Sequence, residues 1–591
     1  MTWRRRAPAL ASVLLLGALL AQVGAFIVSQ SNTFDEAAVI GAGFSYIKTG
    51  RLELETKVHP PLFKYLLGLA VSLASPDFHE DSEALERDLP YRFGHEFLFA
   101  NSVSPETLLS LARLPSLLLS LALAVCLASW AARWFGPWGG VLSLAAYVFE
   151  PNILAHSGLA NMDLALTAFL FLAYYFLILH LEEPRPWRLA ASGLLAGCAL
   201  STKIPGLIFF AWSAGAALLL GGRLGRALKI NASLLALAAF VLVLSYQVRY
   251  VPKLCGLLTQ MVPAMFVPHP TEQHYNFFHG TVKLGGWRHY YLTALAIKTT
   301  LPFLALVLLG VRMLTRKELL VLGLPALSYI AVCTAASKQN GLRYILPAFP
   351  FLCLAAGALV RSRGRSWALA AALLVGWSAV ETTRLAPNYL VYFNQLVGGP
   401  AQGYRWLVDS NLDWGQDLRL LGDFLRRQEN PETIVACLGN GDLDHYLGTH
   451  QDLLSWSWSQ DAAAPPPPRH LNSAAPAREW LIVSASFLQG FGLNDPEAFA
   501  WLRTRRPLAQ PGHSSFVFDI SSDALSHFNV GKLYQRNRHY EAARRQFERA
   551  AALAPEVEHP WLALADVHRA LGQEPRAAAA LARAAKLKRL R

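Results

Sequence analysis

Of the 591 residues 53% are hydrophobic and only 16% are charged, with a formal net charge of +13. A chain of soluble domains carries about 25% charged residues, so that organisation is excluded, as are disorder, collagen and coiled coil. Six cysteines in so long a chain make no disulfide framework, and the composition points to a polytopic membrane protein with a soluble part attached.

Eleven stretches can cross a bilayer if some fall short of the usual length of about 20 residues. They lie near 7–29, 106–132, 137–151, 161–181, 187–202, 204–221, 227–247, 290–311, 318–335, 343–360 and 366–382. Alternate connections hold the basic residues: Arg4, Arg5 and Arg6, then Arg133, Arg185 and Arg188, then Arg223, Arg226 and Lys229, then Arg312, Arg316 and Lys317, and last Arg361, Arg363 and Arg365. Against these fifteen stand only Glu182, Glu183 and Glu318, so one face carries nearly all of the net charge. That face is cytoplasmic by the positive-inside rule. The N-terminus is then inside a cell (inner) membrane, and an odd number of spans leaves everything after residue 382 outside. The membrane accounts for the basic charge, so nucleic acid is not a partner. A cleaved signal peptide in place of the first span would keep the same alternation.

Three outer segments result: 30–105, 248–289 and the tail. The division expected is a membrane domain over 1–382, a small extracytoplasmic α/β domain over 383–520 and helical repeats over 521–591. TIVACLG and REWLIVSAS are short apolar runs of the kind that form buried strands, and LRLLGDFLRRQ has helical spacing. AAAPPPPRH at 462–470 reads as an exposed loop. A 34-residue period relates Gly531 to Ala565, Ala543 to Ala577, Phe547 to Leu581 and Ala550 to Ala584. That spacing resembles the tetratricopeptide repeat. Two copies do not stand alone, so they lean on the α/β domain, on a protein partner or on a second chain; a plain helical hairpin is the alternative.

The outer ends of the spans collect ionisable residues. Asp35 and Glu36 follow the first span by a few residues; they can divide base and substrate-holding roles, or Asp35 can cap a helix. His59 precedes Pro60 and Pro61, which start an apolar helix carrying Lys64 along the membrane surface. Glu150, His156 and Asp163 lie at the next outer edge, where ionisable groups cost several kcal/mol unless paired or wet. Lys203, Lys338 and Arg343 lie at further outer edges. Each cation alone could snorkel, but together they indicate a shared site.

FDEA, HPPLFK, PNILAHSGLANMDLALT, STKIPG, YYLTALAIKTTLPFL and LRYILPAFPFL, in that order, resemble the bacterial relatives of protein O-mannosyltransferases. These belong to the GT-C superfamily, which includes the aminoarabinose transferases of lipid A. YFNQLVGGPAQGYRWLVDSNLDWGQDLRLL resembles the stretch after the last span in many bacterial members. The resemblance implies a mainly α, GT-C-type membrane fold that moves a sugar from a polyprenyl-phosphate carrier to an outer acceptor hydroxyl, with inversion. By it Asp35 is the base, and Glu36 and Asp163 orient the acceptor or a metal. Lys203, Arg343 and His59 receive the phosphate, with Lys64, His156 and Lys338 as further substrate-binding candidates. A divalent ion on Asp35, Glu36, His59, His156 and Asp163 is left open, and no other cofactor is implied. No β-trefoil domain is read in the sequence, so the acceptor need not be a protein; a protein, a glycolipid or an envelope glycan are the alternatives. The rival reading is a transporter, or a scaffold whose tail recruits partners.

Overall fold

The computed structural model describes residues 3–56, 58–266, 275–362, 365–456 and 478–589. The proline-rich stretch 462–470 and Arg591 lie outside the described residues, as do Arg363 and residues 267–274 of the second outer segment. The chain forms two compact units, Met1–Leu412 and Asp413–Arg591.

The first unit is almost wholly helical. Pro105, Pro137, Pro151 and Pro186 each open a helix, where a missing N–H costs nothing. Among the described residues seven helices are long and apolar enough to cross a membrane: Arg6–Ser29, Pro105–Phe135, Met162–Glu182, Ile204–Gly221, Leu224–Ser245, Arg316–Ala335 and Leu342–Arg361. This is a multi-pass membrane protein. The stretch read as a single span over 290–311 is instead a pair, Tyr290–Lys298 and Leu301–Val311, bent by 111°. Thr299 and Pro302 sit at the break, and a proline there cannot extend the preceding helix. The other three stretches read as spans fold as the helices Pro137–Val148 (12 residues), Pro186–Leu200 (15 residues) and Arg365–Leu385 (21 residues). Every stretch is helical, and seven reach the length and hydropathy of a full crossing.

The helix Phe34–Thr49 carries Asp35 and is held on two sides. Leu62–Val71 crosses it where two glycines meet: a Cβ on Gly68 would lie 2.1 Å from the Gly43 carbonyl oxygen. Pro90–Phe99 crosses where a Cβ on Gly94 would lie 2.1 Å from the Ala37 oxygen. Backbones that close fix the helix axis. Strands β1 (Tyr275–Phe278) and β2 (Thr281–Leu284) form an antiparallel hairpin. The segment 389–411 runs through short 3-10 turns and pins two helices. Asn394 Nδ2 donates to the Ala296 and Thr299 carbonyls at 2.6 and 2.9 Å. Asn411 Oδ1 accepts from Leu342 N–H at 3.0 Å, one residue before Arg343.

The second unit holds a four-stranded sheet of β3 (Glu432–Leu438), β4 (Gln451–Trp456), β5 (Glu479–Ser484) and β6 (Ser515–Asp519), in the order β4-β3-β5-β6. β3 is parallel to β4 and β5, and β6 is antiparallel to β5. β3 and β5 are the two runs read as buried strands. Four helices follow, Ala524–Arg536, Tyr540–Leu553, Glu558–Ala570 and Glu574–Arg589. Gly531 admits the Phe547 ring, which a Cβ would meet at 2.6 Å. Gln546 Nε2 donates to Glu479 Oε1 of β5 at 3.2 Å, so the first helical pair leans on the sheet.

Candidate active site

Asp35 lies in the first turn of its helix, whose N-cap is Thr33 rather than Asp35. The cap position read for Asp35 belongs to Thr33, and Glu36 completes the capping box: its Oε2 accepts from the Thr33 N–H at 2.8 Å. Asp35 is thereby left to other partners. Arg343 Nη1 donates to Asp35 Oδ2 at 3.2 Å and to Asp163 Oδ2 at 3.5 Å. Lys203 Nζ donates to Asp163 Oδ1 at 2.5 Å, and Tyr91 Oη donates to Asp35 Oδ1 at 3.4 Å. The Asp163 side chain is 4% exposed and that of Asp35 33%, so Asp35 is the carboxylate within reach of a substrate. Asn161 caps the helix that begins at Met162, accepting from Asp163 N–H at 2.7 Å. Lys203 stands 4.6 Å from the centre of the Tyr344 ring, a cation–π contact that steadies the ammonium.

His59 and His156 face the same charges. Burial pushes both imidazoles down to about 3, with Arg343 and Lys203 adding to the effect and Asp163 opposing it. Both are neutral near pH 7. Their Nδ1 atoms are buried without a hydrogen-bond partner among the described residues. A buried orphan nitrogen costs about 1–3 kcal/mol, so each is available to a ligand.

Glu36 and Lys64 are engaged elsewhere. Besides Thr33, Glu36 accepts from Arg113 Nε and Nη2 at 2.9 and 2.8 Å and from Ala160 N–H at 2.8 Å. Burial alone would raise the Glu36 carboxyl, but the Arg113 guanidinium holds it below the usual carboxylate range. Lys64 is fully buried, pairs with the Glu55 carboxylate and donates to the His59 carbonyl at 3.0 Å. It shapes the loop that presents His59. Lys338 is exposed, and its charge bears on His59. The carboxylates and histidines considered as metal ligands do not form one set. Glu36 is committed to Arg113, and Asp163 to Lys203 and Arg343. Among the described residues no three of His, Cys, Asp or Glu are grouped to hold a metal ion.

Arg113, Tyr91, Tyr344 and Asn161 did not stand out in the sequence. Arg113 could have: it is a lone arginine in the apolar run LLSLARLPSLLL, where a charge asks for a partner.

Residues 107–248 match the family described as dolichyl-phosphate-mannose-protein mannosyltransferase, and residues 524–557 match the tetratricopeptide repeat. These matches bear out both resemblances drawn from the sequence, each over its own segment. Among solved structures, the chain is similar to ArnT from Cupriavidus metallidurans bound to undecaprenyl phosphate, with 16% identity and a TM-score of 0.46 over 86% of this chain and 97% of that one. The apo form of the same protein gives 16% and 0.46 over 88% and 98%. The S. cerevisiae protein O-mannosyltransferase Pmt1–Pmt2 complex, bound to its sugar donor, gives 19% and 0.27 over 45% of this chain and 38% of that one. No curated protein matches the chain.

Proposed function

We propose that this chain is a membrane glycosyltransferase that moves a sugar from a polyprenyl-phosphate carrier to an acceptor hydroxyl, with inversion. The observation that carries the reading is the Arg343 bridge: one guanidinium nitrogen reaches both Asp35 and Asp163, and Lys203 closes the cluster from the far side of Asp163. An accessible carboxylate thus stands beside two fixed cations at the ends of membrane helices. Transfer needs both. Asp35 takes the proton of the acceptor hydroxyl as its oxygen bonds to the anomeric carbon. The bond from that carbon to the carrier phosphate breaks, and the phosphate leaves with the electron pair. Lys203 and Arg343 meet the charge that develops on it, which fixed donors do without reorganisation. His59 and His156, neutral and with an orphan nitrogen each, supply further hydrogen bonds to the phosphate or the sugar. Asp163 orients the two cations, and Glu36 holds the helix that presents Asp35.

The match of residues 107–248 to the mannosyltransferase family supports the reaction class. The charge of alternate connections supports a cytoplasmic N-terminus and an extracytoplasmic second unit in the cell membrane. The acceptor is a protein, a glycolipid or an envelope glycan, and the repeat-bearing tail offers a face to a protein partner.

Asp35→Asn tests the reading. Asn keeps the shape and the hydrogen bond from Tyr91 but takes no proton. Transfer of labelled sugar from polyprenyl phosphate should fall by roughly 10²–10⁴-fold with the thermal midpoint unchanged. Near-normal transfer would remove Asp35 as the base.

A further inference from the structure

The second unit contains a cleft that sugar transfer leaves unused. In the order β4-β3-β5, the chain leaves β3 toward β4 on one side while β5 stands on the other. The carboxyl ends of β3 and β5 therefore flank a topological switch point, where open α/β sheets bind ligands. The cleft there is lined by Asp413, Asp417, Cys437, Leu438, Ser484 and Ser514, among others. It is built before any ligand arrives. Gly512, at φ 62°, lets the backbone approach Asp417, where a Cβ would lie 2.4 Å from Oδ2. A Cβ on Gly439, at φ 151°, would lie 3.1 Å from Gly415 Cα.

Asp413 and Asp417 are each 2% exposed. Asp413 Oδ2 accepts from Ser486 N–H at 2.8 Å. Asp417 Oδ2 accepts from Ser514 Oγ at 2.6 Å and from Gln416 Nε2 at 3.1 Å. Asp417 Oδ1 is buried and has no hydrogen-bond partner among the described residues. The charged neighbour that bears on Asp417 is Asp413, of like sign. A buried carboxylate with an unused oxygen and a second carboxylate beside it is costly unless positive charge arrives.

We propose that this cleft binds one hard divalent cation of the calcium class, held by the carboxylates of Asp413 and Asp417, with the Ser484 and Ser514 hydroxyls as further oxygen donors. Two carboxylates and neutral oxygens are the donor set of such ions. Calcium tolerates the irregular arrangement that strand ends and a loop provide, whereas magnesium demands a near-ideal octahedron. Asp417 Oδ1 is the vacant acceptor that the ion fills.

The test uses the full chain, purified in detergent and stripped with chelator. Calcium binding is measured by titration calorimetry, and terbium, as a calcium stand-in, by emission sensitised through Trp414, which adjoins Asp413. One saturable site per chain is expected, with terbium displaced by calcium. Asp417→Asn should abolish it without lowering the ion-free melting temperature, because Asn fills the same space without the buried charge. Ser514→Ala, which removes the donor to Asp417, should weaken calcium by roughly 10–100-fold. Absence of saturable calcium binding to the unaltered chain overturns the proposal, whatever the variants do. So does calcium binding that survives Asp417→Asn, or a site that takes zinc through Cys437 and refuses calcium.

Discussion

Arg113 meets Glu36 edge to edge, Nε to Oε1 at 2.9 Å and Nη2 to Oε2 at 2.8 Å, with both side chains buried. The same guanidinium donates from Nη1 to the carbonyls of Ile27 and Gln30 at 2.9 Å and from Nη2 to that of Ser31 at 2.8 Å. It ties the end of the first membrane helix to the start of the helix that carries Asp35. Breaking a buried pair from one side costs about 3–5 kcal/mol. Glu36→Gln should therefore lower the thermal midpoint in detergent together with the yield of folded protein. Asp35→Asn should leave both alone. Equal melting of the two variants would return Glu36 to the list of reacting groups.

This pair also marks where sequence reasoning stops. Hydropathy located the seven long apolar helices found among the described residues, because an apolar run needs no knowledge of its neighbours. It did not find the 111° bend at Thr299 and Pro302, although Lys298, Thr299 and Thr300 interrupt the apolar run there, because an average over a whole span hides a break of three residues. Asp35, Asp163, Lys203 and Arg343 were legible as ionisable groups at span ends, and the structure joins them. Glu36 looked equivalent to its neighbour Asp35. One step along a helix turns a side chain by about 100°, and that rotation sends Glu36 to Arg113, Thr33 and Ala160 instead. The tail's 34-residue period was legible because Gly531 and Phe547 must fit one another within the repeat. The support that Gln546 draws from Glu479 was not, because it joins two segments with no shared pattern.

Arg343 serves two carboxylates from one nitrogen, while its Nε donates to the Asn340 carbonyl at 3.1 Å. Lysine offers a point charge and no planar fork. Arg343→Lys should keep the charge and lose the bridge. Transfer should fall by roughly 10²-fold or more, as expected for a misplaced catalytic group, with donor affinity changed less than turnover. Normal turnover in Arg343→Lys would reduce the residue to an electrostatic role.

His59 and His156 make the first unit sensitive to acid. Their folded values, pushed down to about 3 by burial, lie below the ordinary histidine value of about 6.5. The unfolded chain then binds more protons between those limits. Stability is complete above about pH 6.5 and is lost as pH falls toward 3, at up to roughly 1.4 kcal/mol per pH unit for each histidine. Melting in detergent at pH 7.5 and pH 5 measures this, and His156→Gln should remove about half of the difference. A variant with the full acid sensitivity would show that His156 does not carry it.

Asp413 and Asp417 give the second unit the opposite dependence. Burial pushes Asp413 up to about 6, its serine hydrogen bonds opposing, and Asp417 up to about 8, with the like charge of Asp413 adding to burial. Both lie above the usual carboxylate range, so the folded unit holds protons that the unfolded chain has released. The stabilisation is complete below about pH 4 and is lost as pH rises through about 6 and then about 8. In chelator the unit should melt earlier at pH 9 than at pH 6, by up to roughly 1.4 kcal/mol per pH unit for each proton released. Above pH 7 the histidines add nothing, because they are neutral in both states; between pH 6 and pH 7 they oppose the fall. Asp417→Asn removes the more strongly raised carboxyl and should flatten the fall above pH 7. The measurement is tryptophan fluorescence on heating, since Trp414 and Trp480 are buried in this unit. A melting temperature that rises from pH 6 to pH 9 in chelator, or a fall that Asp417→Asn leaves intact, would show that the pair is ionised in the folded chain at neutral pH.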